Sequence, residues 1–294
     1  MVKSQPFFSI IIPTLNEELY LPHLLRDLST QTYHDFEVII VDGNSDDQTV
    51  VKANELRSSI PRLTIINSPR RHVCTQRNLG STNALGQVLL FIDADTRLPS
   101  FFLLGIKFQL ESHPAELATT FVFTSSPEPY ELSIISTINT ATELSRKMDT
   151  PLFSEGMTII SKDLFTKING FNESINFSEG TDIIHKARKL GVEHYVYHEP
   201  RYEYSLRRIK QFGALKIVAN IGQHQLSKLL GIEMTPSKTK ELYPMEGGSL
   251  FHTPPKSRVK AFTLTIDKLL RNFTVNDKPL TLKILKKQMD SLLS

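Results

Sequence analysis

The feature that most constrains the fold is an alternation of short, continuous apolar runs with stretches of helical character. Phe7–Ile12, Glu37–Val41, Leu63–Ile66, Val88–Ile92 and Thr119–Phe123 read as strands. Between them, Glu17–Gln31, Asp46–Ser58, Cys74–Leu85 and Pro99–His113 read as helices. Apolar runs without polar alternation suit strands covered on both faces. The β-α-β-α order predicts a mostly parallel sheet flanked by helices. Right-handed crossovers then gather the connecting loops at the strands' C-terminal ends, where an open sheet of this kind binds its ligand.

The later chain is less regular. Ser133–Lys147, Glu179–Leu190 and Leu206–Leu230 read as helices, and Thr158–Ile160 and His194–Tyr197 as short strands. Pro236–Pro255 reads as a polar loop holding Gly247-Gly248. Leu280–Leu293 sets Leu282, Leu285, Met289 and Leu292 on one helical face and lysines on the other. A length of 294 residues, 40% hydrophobic, allows one large domain with an appendage. The lone Cys74 excludes a disulfide framework and favours a reducing compartment. Met1–Gln5 has no apolar signal core, and no apolar run approaches the ~18–20 residues of a membrane span. The expected location is therefore cytoplasmic. From Lys256 onward, nine Lys/Arg face three Asp/Glu, a local charge of +6 against +3 for the whole chain. That tail suggests an anionic partner, either a phosphorylated substrate or the inner face of the cell membrane as a peripheral surface.

Carboxylates fall just past the expected strand ends: Asp42 after the second strand, Asp93 and Asp95 after the fourth. An aspartate there either satisfies a turn or presents charge to a ligand. Asp93-Ala94-Asp95 is the sharper signal, because alternate carboxylates can share one hard divalent cation. Such an ion neutralises a diphosphate leaving group as its bond breaks. Arg77 has the planar fork that pairs with phosphate oxygens. Pro13 and Asn16 are read as shaping a turn that leaves backbone groups for a nucleotide, and Glu17 as starting a helix.

Taken together these segments resemble glycosyltransferase family 2. Phe8–Glu17, with Pro13, Thr14, Asn16 and Glu17, resembles that family's opening strand and loop. Val41–Thr49, with Asp42 and Asn44, resembles its base-binding loop, and Gln76–Gly80, with Arg77 and Asn78, a helix start that contacts the nucleotide. Phe91–Asp95, with Asp93, Ala94 and Asp95, resembles its metal motif, and Phe165–Glu173 the segment preceding the acceptor site. The resemblance runs from about Phe7 to Arg208. It implies a GT-A, Rossmann-like α/β fold and inverting transfer of a hexose-type sugar from a UDP- or GDP-sugar. The implied cofactor is Mg²⁺ or Mn²⁺ on Asp93 and Asp95, and the implied acceptor is a carbohydrate or lipid-linked hydroxyl.

One departure concerns the catalytic base. The family has a Glu-Asp pair at a helix start, and here Ser178-Glu179-Gly180-Thr181-Asp182 puts glycine in the aspartate's place. Either Glu179 or Asp182 supplies the carboxylate; Glu179 is nearer the family position, and the two share a helical face. Ser205-Leu206-Arg207-Arg208 follows, with Arg207 and Arg208 expected near a diphosphate or lipid phosphate. The departure also keeps open a catalytically silent nucleotide-sugar-binding module. A sugar nucleotidyltransferase ranks lower, since Pro13–Glu18 is acidic and lacks glycine. P-loop and dinucleotide fingerprints are absent from the sequence, and the modest charge gives no case for nucleic acid. The expected plan is a GT-A domain at 1–205, with its nucleotide half at about 1–98 and its acceptor half at about 99–205. A helical, basic C-terminal extension is expected at 206–294.

Overall fold

The computed structural model describes residues 5–60, 62–146, 156–175 and 178–212, together with 247–248, 274–275 and 278–279. The chain groups into two units, Met1–Ser205 with Thr235–Leu250, and Leu206–Met234 with Phe251–Ser294. The first unit therefore takes in Thr235–Leu250, which the sequence reading assigned to the extension.

In the first unit the order is β1 (Phe8–Thr14), α1 (Leu21–Ser29), β2 (Phe36–Asp42), α2 (Thr49–Glu55), β3 (Leu63–Asn67), α3 (Val73–Asn83) and β4 (Val88–Ile92). There follow α4 (Phe102–Ser112), β5 (Leu117–Phe123), α5 (Pro129–Ser145), β6 (Met157–Ser161), α6 (Lys162–Lys167), α7 (Glu179–Lys189) and β7 (His194–Glu203). The strands form one seven-stranded sheet in the order β3-β2-β1-β4-β6-β5-β7. Only β6 runs against its neighbours, pairing antiparallel with both β4 and β5. The mostly parallel α/β sheet expected from the alternation is what forms. Both β1 and β2 are buried along their full length, as continuous apolar runs require.

The differences lie at element ends. Glu17 does not start α1, which begins at Leu21 with Pro22 in its first turn, where a missing N–H costs nothing. Glu17 and Glu18 instead bond to the loop after β2: the Glu17 N–H donates to Thr49 Oγ1 at 2.8 Å and the Glu18 N–H to Asp47 Oδ2 at 3.1 Å. Helix α5 starts four residues before the expected Ser133 because Pro129 fits its first turn. Strand β7 continues past Tyr197 through Pro200 to Glu203, which the sheet's edge permits because one side of that strand needs no N–H. The short α6 was not anticipated; Ser161 caps it by accepting from the Leu164 N–H at 3.1 Å.

Beneath the sheet, Phe91 of β4 meets Phe165 and Phe171, each with ring centroids 5.0 Å away. Ile168 and the α7 residues Ile183, Ile184 and Ala187 complete this cluster. Helix α3 lies so close to the sheet that a Cβ at Gly80 would overlap the Ile11 side chain. Gly80 is thus a packing requirement rather than a turn residue. In the second unit, α8 (Arg207–Phe212) covers the start of the expected Leu206–Leu230 helix, whose remainder lies outside the described residues. Two short strands, β8 (Thr274–Val275) and β9 (Lys278–Pro279), pair antiparallel there. The amphipathic Leu280–Leu293 segment also lies outside the described residues. Among the described residues, no helix is long and apolar enough to cross a membrane.

Candidate active site

The parallel register sets the candidate residues along one edge. Thr14 pairs with Asp42 at the ends of β1 and β2, and Asp93 follows directly on β4, the other neighbour of β1. Asp42 and Asp93 thus belong to strands two apart, ~10 Å by strand spacing. Pro13 lies inside β1, beyond the last β1–β4 pair at Ile11 and Phe91, where a missing N–H costs that ladder nothing.

The first two loops are laced together. Asn16, at φ 54°, turns the chain after β1. Its N–H donates to Ser45 Oγ at 2.9 Å, and its side-chain oxygen accepts from the Asp46 N–H at 2.8 Å. The Thr14 carbonyl accepts from the Gly43 N–H and from Gln76 Nε2, both at 2.8 Å. The same Gln76 nitrogen donates to the Val41 carbonyl at 2.7 Å. The expectation that this turn leaves its backbone groups for a nucleotide is therefore corrected. Buried polar groups need partners, and here the β2–α2 loop and Gln76 supply them. No local sequence signal distinguishes Gln76 from its neighbours in Gln76–Gly80.

Asp42 is 2% exposed and accepts three hydrogen bonds: from Thr14 Oγ1 at 3.1 Å, Ser45 N–H at 2.8 Å and Ser45 Oγ at 2.6 Å. A carboxylate offers about four acceptor sites, so the loop takes most of its capacity. Asn44, at φ 60°, donates through Nδ2 to the Ser68 carbonyl at 3.0 Å and joins the β3–α3 connection to the same edge. Arg71 closes the outside, donating to the Asn44 carbonyl at 2.7 Å and pairing with Asp46 at 2.8 Å.

At the centre lies Arg77, 2% exposed. One nitrogen meets Asp93 Oδ1 and the other Glu179 Oε1, each at 2.9 Å. Its guanidinium also stands over the Phe171 ring, 5.3 Å from the centroid. The sequence reading gave this fork to phosphate; the structure shows two carboxylates on it. Exposed ion pairs contribute ~0–1 kcal/mol, but removing one partner of a buried pair costs ~3–5 kcal/mol. Arg77 belongs to the second class. Neither a surface salt bridge nor composition would have revealed this, because its partners lie 16 and 102 positions along the chain.

Asn78, also expected at the nucleotide, bonds to the chain itself. It accepts from the Phe171 N–H at 2.9 Å and donates to the Phe171 carbonyl at 2.9 Å and to Glu173 Oε1 at 3.0 Å. Thr75 Oγ1 donates to the other Glu173 oxygen at 2.8 Å. These two hydrogen bonds lead the causes that hold the Glu173 carboxyl below its usual pKa.

Glu179 and Asp182 share the first turn of α7 but not their surroundings. Glu179 is 5% exposed and held by Arg77; Asp182 is half-buried and pairs with Lys186 at 3.0 Å. Ser178, just before the helix, adopts φ 61°. Arg207 and Arg208 open α8 and belong to the second unit.

The donor set after β4 suits a hard cation. Asp93 keeps 40% of its side chain exposed, Asp95 is partly exposed, and Ala94 between them is buried. Among the described residues, no group of three or more His, Cys, Asp or Glu is gathered. Two carboxylates match the way Mg²⁺-type ions are held, through few protein ligands plus substrate phosphates.

Comparison with known proteins places the chain in a family. The sequence profile described as Glycosyl transferase family 2 matches residues 9–168, more than half of the chain. A Mycobacterium bovis PGL/p-HBAD biosynthesis glycosyltransferase is 43% identical over 94 residues, 32% of this chain and 37% of that protein. A Haemophilus influenzae protein named only as a glycosyltransferase is 30% identical over 190 residues, 60% of each chain. The chain thus spans between about a third and three fifths of these relatives. Among solved structures, the mannosyltransferase PcManGT from Pyrobaculum calidifontis, in complex with GDP-Man and Mn²⁺, superposes with a TM-score of 0.60 at 16% identity. That alignment covers 99% of this chain and 86% of that one. S. aureus TarS superposes with a TM-score of 0.56 at 18% identity, over 88% and 46%. The fold is GT-A, the class these glycosyltransferases share. The chain belongs to glycosyltransferase family 2.

Proposed function

We propose that this chain transfers a hexose-type sugar, with inversion, from a nucleoside diphosphate sugar to an acceptor hydroxyl. The observation that carries the reading is the Arg77 bridge. One guanidinium holds Asp93 of the candidate metal motif and the carboxylate at the start of α7, which supports leaving-group and acceptor chemistry meeting at one point. Asp93 and Asp95 would hold Mg²⁺ or Mn²⁺, which would neutralise the departing diphosphate. Asp42 shapes the base-binding loop and offers its remaining acceptor capacity to a base edge, with Pro13, Thr14, Asn16, Glu17 and Asn44 building the surrounding wall. Arg77 positions Asp93 and Glu179. Arg207 and Arg208 are assigned to phosphate contact on the sequence resemblance alone. Glu179 takes the acceptor proton, a role that needs a reach of ~2.6–3.2 Å; Asp182 ranks second because it lies further from the family's position for the base, and each of the two is paired with a cation.

Neighbouring structures support the donor class: TarS with UDP and with UDP-GlcNAc, and PcManGT with GDP-Man and Mn²⁺. The acceptor is a carbohydrate or lipid-linked hydroxyl, and the basic tail from Lys256 would bring the protein to a membrane surface from the cytoplasmic side. The expected arrangement of a catalytic domain to 205 and a basic extension after it is retained on this reading, with 235–250 returned to the catalytic unit.

The test is thermal unfolding with UDP or GDP, with and without Mn²⁺, followed by nucleotide release from UDP- and GDP-sugars. A ligand of the folded state raises its apparent stability. Metal-dependent stabilisation and release are expected; the absence of both refutes the reading. A second reading, a binding module without turnover, is favoured by Gly180 and by the hold of Arg77 on Glu179. Stabilisation without release against any acceptor would select it.

A further inference from the structure

The sequence predicts Gly247-Gly248 within a polar loop. In the structure this pair lies against the turn after β1. The Gly248 N–H donates to the Leu15 carbonyl at 2.9 Å. A Cβ on Gly247 would overlap the Leu15 carbonyl oxygen, and one on Gly248 the Asn16 carbonyl oxygen. The same added Cβ at Gly248 would stand 3.3 Å from the Glu17 carboxyl carbon. Gly247 also adopts φ 56°, which L side chains rarely do. Two backbones therefore meet face to face, and only glycine at both positions lets them. The turn they meet is set by Asn16 at φ 54°, a left-handed conformation that asparagine adopts more readily than most residues with a side chain. Ser45 and Asp46 hold that turn from the side of β2. Gly248 holds it from the opposite end of the sequence, outside the segment that matches the family profile.

We infer that Gly247 and Gly248 are positioning residues for the donor nucleotide, fixing the Leu15–Glu17 turn in its binding shape. The donor role rests on the function proposed above; the pinning of the turn does not. The pair acts through the turn and needs no contact with the sugar or the acceptor.

The test compares full-length wild type with Gly248→Ala and Gly247→Ala. Gly191→Ala serves as control, since it too sits at positive φ (77°) but its added Cβ would meet nothing within 4 Å. Circular dichroism and thermal unfolding establish that each variant folds, and if one site fails to fold the other carries the test. Amide exchange is then followed over residues 15–18 and 36–42. Faster exchange confined to 15–18 is expected in both site variants and not in the control. Nucleotide titrations should show affinity about tenfold weaker, the scale of one lost hydrogen bond and a shifted turn. Donor KM should rise while acceptor KM stays unchanged. Unchanged exchange at 15–18 overturns the inference outright. Faster exchange with unaltered nucleotide affinity overturns the donor role while the proposed function stands. Failure of the wild type itself to bind any nucleotide refutes the proposed function, and the donor role with it.

Discussion

The two sides of the candidate site are built in opposite ways. On the donor side, the loops after β1 and β2 hold one another, with Asn16 bonded to Ser45 and Asp46, Glu17 to Thr49, and Glu18 to Asp47. On the side proposed for the acceptor, Phe171, Glu173 and Glu179 are held by α3, through Asn78, Thr75 and Arg77 respectively. These contacts span 93 to 102 positions. The first edge is held largely by its own two loops, with Gln76 of α3 and Gly248 adding to them, whereas the second takes its contacts from α3. The first set of contacts spans 29 to 32 positions, the second about three times as many.

The comparison is sharpened most by the two carboxylates of α7. Glu179→Gln should lower kcat by about 10²–10⁴-fold, the range for a lost general base, while Asp182→Asn changes it by only a few-fold. Side-by-side rates with one donor check this, and equal mild losses would place the base elsewhere. Next comes the donor edge alone. Asp95→Ala should reduce metal-dependent nucleotide release by about 10²–10³-fold, the scale of a lost electrostatic stabiliser, and leave the thermal midpoint of the apo protein nearly unchanged. Retained activity with intact metal dependence removes Asp95 from the site.

The link between the halves is broken by Arg77→Met. It leaves two carboxylates without their shared cation and should cost about 3–5 kcal/mol in urea unfolding. Arg71→Ala, at the exposed outer pair with Asp46, should cost no more than about 1 kcal/mol.

A pH dependence is expected from the edge strand β7, where the start of the strand lies level with the start of β4, away from Asp93. His194 of β7 is held down to a pKa of about 3, first by burial and then by Arg188 and Arg146. The unfolded chain binds that proton below its ordinary 6.5, and the folded one does not. Stability should therefore fall as pH drops from 6.5 toward 3, by at most about 1.4 kcal/mol per pH unit from this group. His194→Phe should flatten that slope in denaturation curves at pH 7 and pH 5; an unchanged slope assigns it to other groups.

Much of the sheet was legible because β1, β2 and β4 are continuous apolar runs that end where their carboxylates begin. Asp42, Asp93 and Asp95 could be placed at one edge from strand order alone. The helix starts were less legible, because Glu17 looked like a first-turn carboxylate while its backbone was engaged by a loop some thirty residues on. The sequence places Arg77 and Asn78 at the nucleotide; in the structure Arg77 meets two carboxylates and Asn78 meets Phe171 and Glu173. A guanidinium fork suits phosphate and carboxylate equally, and only the fold decides which it meets. Gly247 and Gly248 carry no local signature beyond being glycine, and their close approach to Leu15 and Asn16 is visible only in three dimensions.

The shared hold of Arg77 on Asp93 and Glu179 also bears on how such a chain can be recombined. Grafting a foreign acceptor half after Asp95 would bury the arginine's positive charge with one of its two carboxylates missing, unless the incoming sequence carried an acid at the start of its α7 equivalent. Chimaeras between relatives should then succeed or fail on that one position, whatever sugar either parent handles.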